Sequence, residues 1–264
     1  MRVKERLILL CLFLTAAPCL AAEIEWEVLP KGRPFRLTFA DPREIRMGLN
    51  IAGGSRIQAA VGNYFSLLAM RVDEREFWHF GIEGAGYFGM RQAEGRFPLE
   101  TTDGLIGLYL EGKRESLEWQ LRYTHVSAHL ADGSRDSAIA YSREFLKLRG
   151  AYAPSPFFQA YAGIMRLVNT VPDVGKWGLQ WGANIFLPSQ FELLVPFLAA
   201  DFQIRQETSF NPSLSFQLGM AFNDPPEAWR SFRIFYSFQS GADPRGQFYD
   251  RALTLHALGI EMQI

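Results

Sequence analysis

An antiparallel transmembrane β-barrel of about twelve strands is the fold that this 264-residue sequence predicts. Three observations predict it. Apolar and polar residues alternate with period two in stretch after stretch, while helical periodicity is weak. The stretches run to about nine to thirteen residues, long for a β-sandwich or lipocalin-like strand but suited to a tilted bilayer span. The connections alternate between short turns and longer polar loops, as they do when one end of a barrel carries tight turns and the other carries loops.

Composition narrows the function classes. The formal net charge is -1, so the chain lacks the basic footprint of a nucleic-acid binder. With 48% hydrophobic and 14% aromatic residues it is too apolar to be disordered. Both cysteines, Cys11 and Cys19, lie at the extreme N-terminus, which leaves no disulfide scaffold or thiolate metal site in the rest.

In chain order, Arg2, Lys4 and Arg6 precede an apolar stretch from Leu7 to Ala17, and small residues follow to Ala22. Residues 1–22 therefore read as a secretory signal peptide, too short to remain as a membrane helix. Its removal takes three basic residues and one acidic residue, leaving a charge of -3 and no cysteine. Residues 23–44 read as a short periplasmic segment, and 45–264 as the barrel. After the signal no apolar run approaches the roughly 20 residues of a membrane helix.

Strands are expected to start near residues 45, 57, 76, 103, 115, 139, 157, 175, 191, 211, 229 and 249. Leu117 to Thr124, Leu214 to Phe222 and Phe232 to Phe238 show the alternation most plainly. Gln120, Arg122, Gln180, Asn184, Gln217 and Arg233 fall on the parity that lines the lumen. The opposite parity, rich in Trp, Tyr and Phe, faces lipid. Short turns are expected near 71–75, 112–114, 154–156, 188–190 and 224–228, and longer loops near 92–102, 128–138 and 240–248. An even strand count places both termini on the periplasmic side.

The sequence contains no nucleophile elbow, zincin helix, P-loop or dinucleotide fingerprint. It has four histidines, and two of them fall in the stretch from Tyr123 to Gly133. The outward parity of Leu117, Trp119, Leu121 and Tyr123 continues through His125 and Ser127. Two such residues project the same way with Cα atoms roughly 6–7 Å apart. A histidine there can take the hydroxyl proton of the serine, provided a third polar group holds its ring. The spacing alone fits equally well a strand that turns polar as it leaves the bilayer. His129 and Asp132 read as solvated loop residues, and His79 and His256 have no ligand partner at metal spacing. Asp132 and Asp136 share a loop that suits a hard cation such as calcium, on the strength of two acids only.

The stretch Tyr123-Thr124-His125-Val126-Ser127 resembles the H-x-S-N-G strand of the outer-membrane phospholipase A family and is similar to the H-x-S dyad of the lipid A deacylases. A longer resemblance, over most of the mature chain, is to an uncharacterised bacterial outer-membrane barrel family with an H-x-S-S-H-L-G-D-E hallmark. It is carried by His125 to Asp132, Arg135, Ser142 to Glu144, and upstream by Val28-Leu29-Pro30 and Ala40 to Arg43. Ala128, Ala131 and Gly133 depart from these patterns, and no Asn stands about a dozen residues downstream to complete a phospholipase triad. The resemblance implies a cell outer-membrane protein among membrane lipids, inserted by the barrel-assembly machinery. It also implies a lipid acyl hydrolase with Ser127 as nucleophile and His125 as base. Asp132, Asp136, Ser142 and Glu144 remain open as the orienting group. The alternative is a non-catalytic barrel, either a narrow pore or a structural or surface protein.

Overall fold

The computed structural model describes residues 24–187, 194–222 and 231–263. The signal peptide expected over 1–22 lies outside the described residues, as do the turns expected near 188–190 and 224–228. Thirteen strands occur among the described residues. A four-residue strand, β1 (Glu25–Val28), is followed by β2 (Met47–Ala52), β3 (Arg56–Arg71), β4 (Glu76–Arg91), β5 (Leu99–Arg114), β6 (Leu117–Leu130) and β7 (Ser142–Ser155). Then come β8 (Phe158–Val171), β9 (Trp177–Phe186), β10 (Leu194–Arg205), β11 (Pro212–Phe222), β12 (Ser231–Ala242) and β13 (Ala252–Gln263). Strands β2 to β13 each pair antiparallel with their chain neighbours, and β2 also pairs with β13, so twelve strands close on themselves. Closure joins the first and last of these twelve strands, as a bilayer demands of spanning strands, and among the described strands only the short β1 stands outside the ring. The expected fold is borne out, with strand starts within a few residues of those read from alternation.

Connections 72–75, 115–116 and 156–157 are short and share one end with β1 and Gln263, here termed the turn end. The longer 92–98, 131–141 and 243–251 lie at the opposite loop end. Alternation sorts the side chains as expected. Gln120, Arg122, Gln180, Asn184, Gln217 and Arg233 are all buried inside, whereas Leu121, Tyr123, Leu148, Trp181, Leu218, Ile234 and Leu258 are exposed on the outer wall.

The stretch 23–44, expected as a short periplasmic segment, holds β1 and the chain that leads to β2. Strand β1 pairs with the turn end of β3, from Glu25 opposite Arg71 to Val28 opposite Leu68. From Arg33 onward the chain turns inside and packs against the lumen wall before rejoining the sheet as β2. Phe35, Thr38, Ala40, Asp41, Glu44 and Ile45 are all buried.

Charge complementarity explains this course. A lumen wall rich in buried acids and bases is stable only when its charges are paired. Residues 33–46 supply the partners. Arg36 Nε lies 2.9 Å from Glu118, Arg43 lies 3.2 Å from Asp103 and Arg46 lies 3.2 Å from Glu261. Asp41 accepts from Gln180 at 2.9 Å and meets Lys147 at 3.3 Å, and Glu44 meets Arg149 at 2.8 Å. Burial alone would raise both carboxyls, but the Lys147 ammonium and the Arg149 guanidinium hold Asp41 and Glu44 below the usual carboxylate range. Phe39 adds an apolar anchor, edge-on to Phe186 and Phe197 at 5.5 and 5.3 Å. The segment thus occupies part of the lumen, with open space left beside Arg33 to Phe39.

Candidate functional site

Strand β6 carries His125 and Ser127, the residues singled out in the sequence, on its outer side. Glu118, Gln120, Arg122, Thr124, Val126 and Ala128 are buried inward, so the intervening Tyr123, His125, Ser127 and His129 look away from the lumen. His129, expected in the following loop, is still part of β6 because its ladder with β5 continues to Leu130 opposite Thr101.

The register assembles rows of side chains across the outer wall. His125 stands opposite Glu144 on β7, and Glu144 opposite Asn169 on β8. His125 Nδ1 lies 3.6 Å from Glu144 Oε1. The second carboxylate oxygen accepts a hydrogen bond from the Tyr123 hydroxyl at 3.1 Å. Side-chain exposures of 42% for His125 and 30% for Glu144 show that the pair meets the surroundings of the barrel rather than its interior. Just past Glu144 the ladder with β8 is irregular, and such bulges re-aim side chains where a sheet must present them.

Ser127 occupies the next row toward the loop end, between Gly104 on β5 and Ser142 on β7. A Cβ built on Gly104 would stand 3.7 Å from Ser127 Oγ, so the glycine keeps one flank of the hydroxyl open. Ser127 Oγ forms no hydrogen bond to His125 in this structure. The ring turns Nδ1 toward Glu144 and leaves Nε2 for another partner.

The other residues considered from the sequence are placed elsewhere. Asp136 pairs with Arg251 at 3.0 Å, and Asp132 is exposed in the loop after β6. Glu144 is thus the carboxylate brought beside His125, and Ser142 stands opposite Ser127. Among the described residues no three His, Cys, Asp or Glu side chains gather as metal ligands would. His79 is buried inside against Ser66 Oγ at 3.1 Å, and His256 meets the Tyr236 hydroxyl at 2.6 Å on the outer wall.

Sequence reasoning missed the backing of this site. The connection 243–251 folds into the lumen behind β6. The Gln247 amide donates to Ala128 O at 2.6 Å and Ile139 O at 2.9 Å, and Gln247 Oε1 accepts from Ile139 N at 3.0 Å. Gly246 N donates to Asp103 Oδ2 at 2.7 Å. A Cβ on Gly246 would come within 2.5 Å of Ala128 Cβ and 2.6 Å of the Tyr141 ring, so only glycine permits this approach. Tyr123 and Asn169 were also missed as neighbours of Glu144. Tyr123 shares the parity of His125, whereas Asn169 reaches its row only through the irregular ladder.

Fold and wall together define a barrel of the outer-membrane type that carries a polar, partly charged row on its outer surface. The chain belongs to the family described as protein of unknown function (DUF1207), whose profile matches residues 15–263. The family resemblance expected from the sequence is borne out. No curated protein matches the chain. Among solved structures, an active-site mutant of outer membrane phospholipase A from Escherichia coli is similar with a TM-score of 0.53 at 12% identity, covering 88% of this chain and 92% of that one. A second structure of outer membrane phospholipase A from Escherichia coli gives a TM-score of 0.50 at 14% identity, covering 79% and 78%. At these identities the likeness is one of fold.

Proposed function

We propose that this chain is an outer-membrane lipid acyl hydrolase, exported through a cleaved signal peptide and inserted by the barrel-assembly machinery. The observation that carries the reading is the His125–Glu144 pair at 3.6 Å, in line with Ser127 on the outer wall. In this reading Glu144 orients the imidazole, and Nε2 takes the Ser127 proton as Oγ attacks the acyl carbon of an ester. The ester C–O bond then breaks and His125 returns the proton to the departing alcohol. Water, activated by the same imidazole, releases the fatty acid and restores Ser127. Catalytic hydrogen bonds are often long or unformed before substrate binds, so the open Ser127–His125 contact suits an unliganded enzyme.

The barrel fold shared with outer membrane phospholipase A supports the reading at the level of architecture. The segment 33–46, paired to the wall inside the lumen, argues against the alternative of a narrow pore. Labelling with a lipid-chain fluorophosphonate tests the assignment. Peptide mass spectrometry is expected to find the adduct on Ser127, and His125→Ala to suppress it strongly. An unlabelled Ser127, or equal labelling of other serines, would remove the nucleophile.

A further inference from the structure

One polar row on the outer wall has no part in that chemistry. His129 on β6 stands directly opposite Thr102 on β5, one row beyond Ser127 toward the loop end. Side chains so paired have Cβ atoms roughly 4.5–5.5 Å apart. His129 is exposed and Thr102 half-buried, and neither side chain has a partner among the described residues. The carboxylates around them are either engaged or displaced. Glu100 pairs with Arg91 at 3.0 Å, Asp136 with Arg251 at 3.0 Å, and Glu144 lies two rows back with His125 and Tyr123. Asp132 is exposed in the loop beyond. The row therefore presents a hydroxyl and an imidazole as donors.

Position gives this pair its ligand chemistry. Along a barrel wall toward a rim, lipid changes from acyl chain to ester to phosphate. Neighbouring outward residues on one strand are roughly 6–7 Å apart along it, comparable to the few bonds that separate a phosphate from the nearest acyl ester. We infer that Thr102 and His129 bind the phosphate group of the lipid whose ester lies at Ser127. The inference rests on the hydrolase reading and names its substrate class: an acylated lipid that bears a phosphate, whether a glycerophospholipid or lipid A. Imidazole and hydroxyl are both donors that a phosphate oxygen can accept from.

Selectivity kinetics in maltoside micelles test it. For His129→Gln and Thr102→Val, the ratio of kcat/KM on phosphatidylglycerol or lipid A to kcat/KM on a neutral p-nitrophenyl ester is expected to fall about tenfold for the histidine change and less for the threonine change. A fall confined to one of the two lipids identifies the source of the phosphate. An unchanged ratio, with the phosphate-bearing and neutral esters affected alike or not at all, overturns the inference. If the wild type hydrolyses none of them, the hydrolase reading fails and a binding measurement decides this one. The four histidines, labelled with 13C in the ring, are followed by NMR as diether phosphatidylglycerol or diether glycerol is added. The His129 signal, assigned by its loss in His129→Gln, is expected to shift with the phosphate lipid only, while that of His256 stays in place. No shift, or equal shifts with both lipids, contradicts it.

Discussion

His125 and Glu144 face each other across β6 and β7 with 3.6 Å between Nδ1 and Oε1, on the side of the sheet that looks away from the lumen. A half-exposed imidazole beside a carboxylate on a barrel's outer wall is of little use to stability, because exposed ion pairs contribute at most about 1 kcal/mol. Its value lies in holding a ring. Glu144→Gln keeps the shape and removes the charge, so ester hydrolysis is expected to fall roughly tenfold to a hundredfold while the folded barrel keeps its heat-modifiable migration on a gel. Glu144→Asp should recover part of that loss. Equal activity of Glu144→Gln and the wild type would leave the pair without a role.

The segment inside the lumen gives a prediction about conductance. Residues 33–46 join opposite sides of the wall through Arg36–Glu118, Arg43–Asp103, Arg46–Glu261 and Asp41–Lys147. In planar bilayers the full chain is expected to be nearly silent, and deletion of 33–46 to open conducting events. Open channels of equal size in both forms would show that the segment does not close the lumen.

Breaking one pair from inside should be costly. In Glu44→Gln the Arg149 guanidinium, fully buried, loses the carboxylate 2.8 Å away. Removing one partner of a buried pair typically destabilises by about 3–5 kcal/mol. Denaturant titration in micelles measures it, and a loss below about 1 kcal/mol, the value of an exposed pair, would contradict the burial described.

Acid should loosen the same segment. Asp41 and Glu44 are held below the ordinary carboxylate range by Lys147 and Arg149, so their folded pKa values lie under their unfolded ones. Such groups contribute stability that is complete above the unfolded value, roughly 4, and is lost as pH falls below it. Hydrogen exchange of 33–46 is expected to be slow at neutral pH and to accelerate, relative to β6, under strong acid. Protection that rises on acidification would reverse the sign and refute the pairing.

The backing of β6 is also testable. Gly246→Val places a side chain where even a Cβ lies 2.5 Å from Ala128 Cβ. Overpacking of this kind costs about 1–3 kcal/mol, and it should displace the 243–251 connection from the inner side of the site. Hydrolysis is expected to fall together with thermal stability, because Gln247 would lose its hold on Ala128 O and the Ile139 backbone. A variant as stable and as active as the wild type would show that this close approach is not required.

Residues near in sequence were legible, and those joined from far away were not. Leu117 to Ser127 declares its two faces because strand side chains alternate, so the outward placement of His125 and Ser127 follows from counting. The position of Glu144 depends on β7 register after an eleven-residue connection at 131–141, which alternation does not set. The lumen course of 33–46 was hidden for a similar reason. Asp41 reaches Gln180 across 139 positions and Arg36 reaches Glu118 across 82, and no local period announces such pairs. The polar wall was readable as a lumen, but its fit to a charged segment of the same chain appears only when both are folded.

Fatty-acid release by the purified barrel, measured beside Ser127→Ala, tests the central claim most directly. The account predicts release from phospholipid or lipid A by the wild type, and a fall to the background rate in Ser127→Ala while gel migration of the barrel is unchanged. Equal release by the two proteins would contradict it.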